Sequence, residues 1–169
     1  HNVSVACCPA SNLKLASGYA NIPKMLEKGI NIALGTDGAA SNNNLNILQD
    51  IYLFGVGYKG FYHDSTLLTP AQVLHTATRA GALSQGRTDC GKLAVGYKAD
   101  LCVIDTDTPQ FTPMTDAACN VVYAAQGADV RLTMVDGEVL YRDGEFKTID
   151  IEKVKAETQK RTDAILRRL

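Results

Sequence analysis

Short apolar stretches alternate with a helical pattern at the start of the chain. Val3–Cys7 and Asn31–Gly35 are too brief for helices, and each ends at residues that stop a strand. Between them, Ile22–Lys28 has Pro23 near its first turn and is closed by Gly29, as helices often are. A strand, a helix and a strand in this order predict a βαβ unit, with a parallel strand pair and a right-handed crossover.

The rest of the first half is predicted to be helical, apart from a turn-rich loop just after the first strand and a second loop between two of the helices. Thr69 and Pro70 are typical of a helix N-cap and first helical position. The predicted elements are a loop over Ala10–Gly18, a helix over Leu45–Tyr58, a loop over Gly60–Ser65, a helix from Thr69 towards Arg79 and a short helix over Gly81–Gln85.

From Gly86 onwards the pattern becomes that of short strands. The predicted strands are Leu101–Asp105, Asn120–Ala124, Val130–Val135 and Glu138–Arg142. Asp136-Gly137 indicates a hairpin between the last two, and Asp150 is the expected cap of a helix running to Leu169. We therefore expect an α/β chain in three parts: residues 1–86, a β module over 87–147, and a helix over 148–169.

Composition excludes several functional classes. The net charge of −1 gives no basic surface for nucleic acid or membranes, and no run reaches the roughly 18 apolar residues that span a bilayer. The five cysteines are scattered and odd in number, which favours free thiols in a reducing compartment. We expect a soluble cytoplasmic protein. The chain begins without Met and almost directly in a strand, so we also expect it to be part of a longer protein.

The best candidate for chemistry is Asp37, which follows the apolar strand Asn31–Gly35. Side chains at the carboxyl end of a buried parallel strand face the ligand in barrels and open α/β sheets. A carboxylate there can serve as a metal ligand or as a general base. The alternative is a structural role, either capping the next helix or closing the Asp37-Gly38 turn.

Four motifs, taken together and in this order, resemble the amidohydrolase superfamily. They are Pro9–Gly18, Leu34–Asn43, Leu93–Leu101 and Met134–Gly137. The similarity is greatest to the chlorohydrolase and adenosine-type deaminase branch, which includes 5′-methylthioadenosine/S-adenosylhomocysteine deaminases. It implies the last βα units of a (β/α)8 barrel, strands of the smaller β-sandwich domain, and a divalent metal, usually zinc, that activates water.

The same resemblance implies roles for individual residues. Asp37 matches the aspartate on the eighth barrel strand and would be both metal ligand and water-orienting base. Ser11 and Asn12 follow the seventh strand, where they would either brace the loop through backbone hydrogen bonds or contact the substrate. Asn42–Asn44 are expected to be cap and loop residues.

The chain also departs from the family pattern. It has no His-x-His pair for the metal; His1 precedes the first strand, His63 is expected in a solvated loop and His75 as a packing residue inside a helix. Cys7-Cys8 stands where relatives commonly carry His-Asn or His-Cys. We interpret the pair as small buried side chains rather than thiolate ligands.

One carboxylate cannot hold a catalytic zinc, which takes three protein ligands and a water. We therefore expect the isolated chain to hold no metal and to be inactive, while its parent hydrolytically deaminates a purine nucleoside-like or other heteroaromatic small molecule. The alternatives are a chlorohydrolase, a guanine or cytosine deaminase, or a non-catalytic module without metal. Unpaired strand edges predict a homodimer or a domain-swapped oligomer.

Overall fold

The structure is a computed structural model that describes residues 3–168, so His1, Asn2 and Leu169 lie outside the described part. Its first half is built on a parallel strand pair, β1 (Ser4–Cys7) and β2 (Asn31–Leu34), in which Ser4 lies opposite Asn31. The predicted parallel strand pair, with helix between its strands, is therefore confirmed. The helices of this half are α1 (Pro9–Lys14), α2 (Ile22–Glu27), α3 (Ala39–Asn42), α4 (Ile47–Tyr62), α5 (Pro70–Ala77) and α6 (Arg79–Ser84).

The core lies between the parallel pair and helices α4 and α5. Phe54 and Tyr58 of α4 are buried against a cluster that includes Ile32 of β2 and Val73 of α5. These apolar side chains recur at helical spacing on α4, so one face of this helix is buried and fixes its position beside the strands. The strand ends that carry the candidate chemistry are thus held by a packed helix.

Two glycines allow neighbouring groups to approach α4 closely. A Cβ added at Gly55 would lie 3.1 Å from Cγ1 of Val122, and one at Gly57 would lie 2.7 Å from the Tyr19 hydroxyl. Glycine lowers helix propensity, but here it leaves the space in which these side chains pack. The helix runs to Tyr62, so the loop predicted over residues 60–65 begins later than expected.

The second half contains a four-stranded antiparallel sheet. Its strands, in spatial order, are β3 (Leu101–Ile104), β4 (Val130–Val135), β5 (Glu138–Arg142) and β6 (Glu145–Phe146). Asp136 and Gly137 connect β4 to β5 with φ of 52° and 84°, the left-handed values that a tight hairpin requires. The predicted Asp-Gly hairpin is confirmed.

The strand predicted over Asn120–Ala124 is wrong. Residues Ala117–Tyr123 form helix α7, whose N-cap Asp116 accepts a hydrogen bond from the backbone N–H of Cys119 at 2.7 Å. Val122 is fully buried against the first half of the chain, so tertiary packing and the cap outweigh the β propensity of this apolar run.

The segment after α6 folds back onto that helix. The Arg79 guanidinium donates hydrogen bonds to the carbonyls of Thr88, at 3.1 Å, and Cys90, at 2.7 Å, and it lies 5.5 Å from the centre of the Tyr97 ring. Gly91 has a φ of 81° and touches α6. These contacts hold the segment that leads to β3 against α6.

The chain ends in helix α8 (Ile151–Leu166), capped by Asp150 as predicted. The apolar side chains near its end are not packed within the described residues: Ile165 and Leu166 are 60% and 61% exposed. No helix within residues 3–168 has both the length and the apolar character needed to cross a membrane.

Candidate metal centre at the strand ends

Asp37 lies at the carboxyl end of β2, beside helix α1, which follows β1 where the sequence predicted a loop from Ala10. The Ser11 hydroxyl donates to Oδ2 of Asp37 at 2.7 Å, and the Gly38 N–H donates to Oδ1 at 2.7 Å. Ser11 is buried, whereas Asp37 is exposed. The Ser11 hydroxyl first, and then the Gly38 N–H, lower the pKa of Asp37 below its ordinary value, because both donors favour the ionised carboxylate.

The backbone at Asp37 is itself unusual. Its φ of 61° is in the left-handed region, which aspartate tolerates better than most residues but which is still strained. The N-cap of the following helix α3 is Gly38, so Asp37 does not cap that helix. Of the two structural alternatives raised by the sequence, only the local contact with Gly38 is present.

Ser11 and Asn12 play different parts. Ser11 reaches Asp37 through its side chain, so it braces the site with its hydroxyl rather than through the backbone alone. Asn12 acts through its backbone: its N–H donates to Cys8 at 2.9 Å and its carbonyl accepts from Ser17 at 2.8 Å. The structure thus brings Ser11, but not the Asn12 side chain, to the candidate carboxylate.

A buried carboxylate not recognised in the sequence lies behind the site. Asp50, on α4, is fully buried; its Oδ1 accepts from the Ala10 N–H at 2.9 Å and its Oδ2 from the Asn42 amide at 3.1 Å. The same amide also donates to the carbonyl of Thr36 at 2.7 Å. Burial raises the pKa of Asp50, and the two donors act against that shift.

The two vicinal cysteines differ in their burial and in the groups that they contact. Cys7 is buried, with its sulfur 3.5 Å from the Tyr58 hydroxyl. Cys8 is half-buried, and its thiol contacts the Asp37 backbone. Burial raises the pKa of both thiols, and the nearby charge of Asp37 raises that of Cys8 further, so both stay protonated near neutral pH.

Neither of the two histidines in the described residues forms a metal-ligand group with Asp37. His63 is exposed at the C-cap of α4, as expected for a solvated position. His75 lies in α5, but its side chain is exposed, so the expectation of a packing residue is wrong. His1 lies outside the described residues.

Asp37 is suitable as one metal ligand. Its oxygens accept hydrogen bonds from the Ser11 hydroxyl and the Gly38 N–H, and because an ionised carboxylate has about four lone-pair sites, it can also bind a cation. Across residues 3–168 no three His, Cys, Asp or Glu side chains are grouped so as to hold a metal ion. Because a catalytic zinc takes three protein ligands, a complete centre needs ligands in addition to Asp37.

Comparison with known proteins defines the class. A sequence profile described as the amidohydrolase family matches residues 1–140, and the chain belongs to this family. It is 44% identical over 166 residues to a 5-methylthioadenosine/S-adenosylhomocysteine deaminase from Acetivibrio thermocellus. It is 45% identical over 166 residues to a 5′-deoxyadenosine deaminase from Methanosarcina acetivorans. Each alignment covers 98% of this chain and 38% of the relative.

Solved structures agree with this assignment. The chain superposes with a TM-score of 0.93 and 33% identity on an adenosine deaminase from Xanthomonas campestris with bound zinc, over 96% of this chain and 37% of that one. It also superposes, with a TM-score of 0.87 and 29% identity, on a zinc complex of atrazine chlorohydrolase from Arthrobacter aurescens, over 94% and 35% of the two chains. The expected α/β amidohydrolase architecture is confirmed, and the described residues form no closed barrel.

Proposed function

We propose that this chain supplies one metal ligand, Asp37, to a metal-dependent hydrolase that deaminates a nucleoside-like small molecule. The observation that carries the proposal is the ionised Asp37 carboxylate, held by Ser11 and Gly38 at a parallel strand end in a family member. The chain spans about 38% of the length of the curated relatives it matches. We therefore propose the activity for a protein that contains more residues than this chain.

The chemistry assigned to these residues follows from their geometry. A bound divalent metal, with zinc favoured by the solved neighbours, supplies a Lewis acid and an activated water. Ser11 and Gly38 keep the Asp37 carboxylate ionised and fixed in orientation. An ionised carboxylate at this place can bind the cation through one lone pair and accept a proton from water through another. Asn12 is proposed only as a residue lining the approach of the substrate.

The substrate class is inferred from the relatives. Two relatives with 44% and 45% identity are named as deaminases of adenosine derivatives altered at the 5′ position. We therefore favour hydrolytic deamination of a purine nucleoside with a 5′ modification. Dechlorination is the second candidate, because an atrazine chlorohydrolase shares the fold at a TM-score of 0.87, though at lower identity. Deamination of guanine or cytosine has no comparable support.

The domain organisation of the chain is part of the proposal. Residues 1–86 would complete the end of a barrel, residues 87–147 would belong to the smaller β domain, and residues 148–169 would form a closing helix. By itself the chain would be inactive, and the open edges of β1 and β2 would favour a homodimer or a domain-swapped oligomer. Light scattering that shows only monomer at working concentration would contradict the oligomer. The five free cysteines favour a cytoplasmic location.

Ammonia release tests the activity. The protein expressed from the complete gene and the 169-residue chain would each be incubated with 5′-methylthioadenosine, S-adenosylhomocysteine, 5′-deoxyadenosine, guanine, cytosine and atrazine. We expect the complete-gene protein to release ammonia from the adenosine derivatives and the 169-residue chain to release none. Chloride release from atrazine alone would favour the chlorohydrolase, and no turnover of any compound, with no bound metal, would favour the non-catalytic module.

A further inference from the structure

One buried carboxylate, that of Asp50, joins helix α1 to the loop that carries Asp37 at the candidate metal centre. We propose that Asp50 is a positioning residue, which holds Asp37 in the orientation needed to bind the metal although it does not touch Asp37 itself. The inference rests on the proposed function, since it assigns Asp50 a role at the same site.

The first connection runs through helix α1, which carries Ser11. The N-cap residue of α1, Cys8, provides no side-chain cap, and Pro9 has no N–H. The first free N–H of this helix, that of Ala10, is bound by Asp50 at 2.9 Å. Asp50 therefore caps α1 from another helix and fixes the turn from which the Ser11 hydroxyl reaches Asp37.

The second connection runs through the loop that carries Asp37. The Asn42 amide nitrogen donates to Asp50 at 3.1 Å and to the carbonyl of Thr36 at 2.7 Å. Thr36 directly precedes Asp37, whose left-handed backbone needs support from its surroundings. One carboxylate thus fixes both the hydrogen-bond donor of Asp37 and the backbone that presents it.

Burial makes a purely stabilising role a poor explanation for Asp50. Its side chain is fully buried, and burying a carboxylate is unfavourable unless hydrogen bonds compensate for the lost water. Apolar residues of similar volume often replace buried charges without loss of stability. Groups that orient metal ligands, in contrast, are sensitive to substitution, which typically lowers metal affinity or activity about 10- to 100-fold.

The chain offers a matched control in Asp129. This carboxylate is also buried, and it accepts one backbone N–H, from Gln126 at 2.8 Å, and one side-chain amide, from Gln110 at 3.1 Å. It thus has the same types of donor as Asp50, but it caps a short turn before β4, and its side-chain hydrogen bonds go neither to α1 nor to the loop that carries Asp37. Asp50→Asn and Asp129→Asn therefore make the same chemical change at a linked and an unlinked position.

The test uses the protein expressed from its complete gene. Zinc affinity is measured by competition with a chelator, and kcat and KM by ammonia release, with thermal unfolding as the check on folding. In Asp50→Asn the new amide NH2 group must face either the Ala10 N–H or the Asn42 amide NH2, and two donors cannot form a hydrogen bond. We therefore expect zinc affinity and kcat each to fall about 10- to 100-fold. KM should change less than about twofold, and Asp129→Asn should alter none of the three beyond about twofold.

Several results would overturn the inference. The first is an Asp50→Asn variant that folds and keeps its zinc affinity and kcat within about twofold of wild type. The second is an Asp129→Asn variant that loses as much zinc affinity and kcat as Asp50→Asn does, which would indicate a general effect of buried carboxylates. If Asp50→Asn does not fold, the zinc affinity of Asn42→Ala is the test. This variant keeps the hydrogen bond from Ala10 to Asp50 but removes the amide that holds Thr36. A zinc affinity equal to that of wild type would refute the proposal. If neither Asp50→Asn nor Asn42→Ala folds, Asp50 and Asn42 are needed for folding, and the positioning role is refuted.

Failure of the proposed function is distinguishable from failure of this inference. A wild-type protein that binds no zinc and deaminates nothing refutes the function, and the role of Asp50 at that site with it. An active wild type with an equally active Asp50→Asn variant refutes only the positioning role.

Discussion

Replacing Gly91 by alanine tests how the segment after α6 packs on that helix. The φ of Gly91 is 81°, and an added Cβ would lie 2.9 Å from Cα of Arg79, 2.9 Å from Cβ of Ala82 and 3.0 Å from the carbonyl oxygen of Thr78. Gly96 is a matched control, because its φ is 82° and an added Cβ would meet nothing within 4 Å.

The structure separates two contributions to the loss of stability. Left-handed backbone costs alanine about 1–2 kcal/mol at either position. At Gly91 the added methyl also meets backbone atoms of α6, which cannot move aside as a flexible side chain would, and overpacking of this kind adds about 1–3 kcal/mol. Alanine restricts the unfolded chain similarly in both variants, so this effect cancels when they are compared.

Urea unfolding of the 169-residue chain, followed by circular dichroism, measures the difference. We expect Gly91→Ala to lower the free energy of unfolding by about 1–3 kcal/mol more than Gly96→Ala does. Equal losses in the two variants would mean that the close approach of Gly91 to α6 is absent. A neutral Gly96→Ala would contradict the left-handed turn at that residue.

Two further predictions concern the candidate site and α7. Ser11→Ala should raise the pKa of Asp37 towards its ordinary value, because the hydrogen bond that lowers this pKa most is removed. Carboxyl-carbon NMR measures the pKa of Asp37. An unchanged pKa in Ser11→Ala, or an equal rise in the control Ser17→Ala, would contradict the prediction. Since the folded-state pKa is lowered, the stability that Asp37 contributes is present above its unfolded-state pKa and is lost as pH falls through the folded value, and Ser11→Ala should move that loss to higher pH. Asp116→Ala should lower the free energy of unfolding by about 0.5–2 kcal/mol through loss of the cap to Cys119, and no change in urea unfolding would refute this role.

Local signals were sufficient for the parallel pair and the hairpin. The run that ends at Gly35 and the Asp136-Gly137 turn depend on backbone preferences that adjacent residues reveal. The same approach failed at Asn120–Ala124, where β-branched residues favour a strand in isolation. The helix there depends on burial of Val122 against α4 and α5, which no local pattern reveals.

The site was predictable only in part for the same reason. Asp37 follows an apolar strand and lies in a recognisable motif, so its position at a strand end could be anticipated. Asp50 lies within a helix whose sequence gives no sign that a carboxylate is buried there. Its partners Ala10 and Asn42 are 40 and 8 residues away along the chain. Only the packing of α4 against α1 and α3 brings these three residues together.

Metal analysis of the complete-gene protein with Asp37→Asn tests the central claim most directly. Asp64→Asn is the matched control, because Asp64 is also exposed and accepts one backbone N–H and one hydroxyl, both from Thr66. We predict about one zinc per chain and deaminase activity in the wild type and in Asp64→Asn. Asp37→Asn should remain folded but lose both. Full zinc content and activity in Asp37→Asn would contradict its assignment as metal ligand and base.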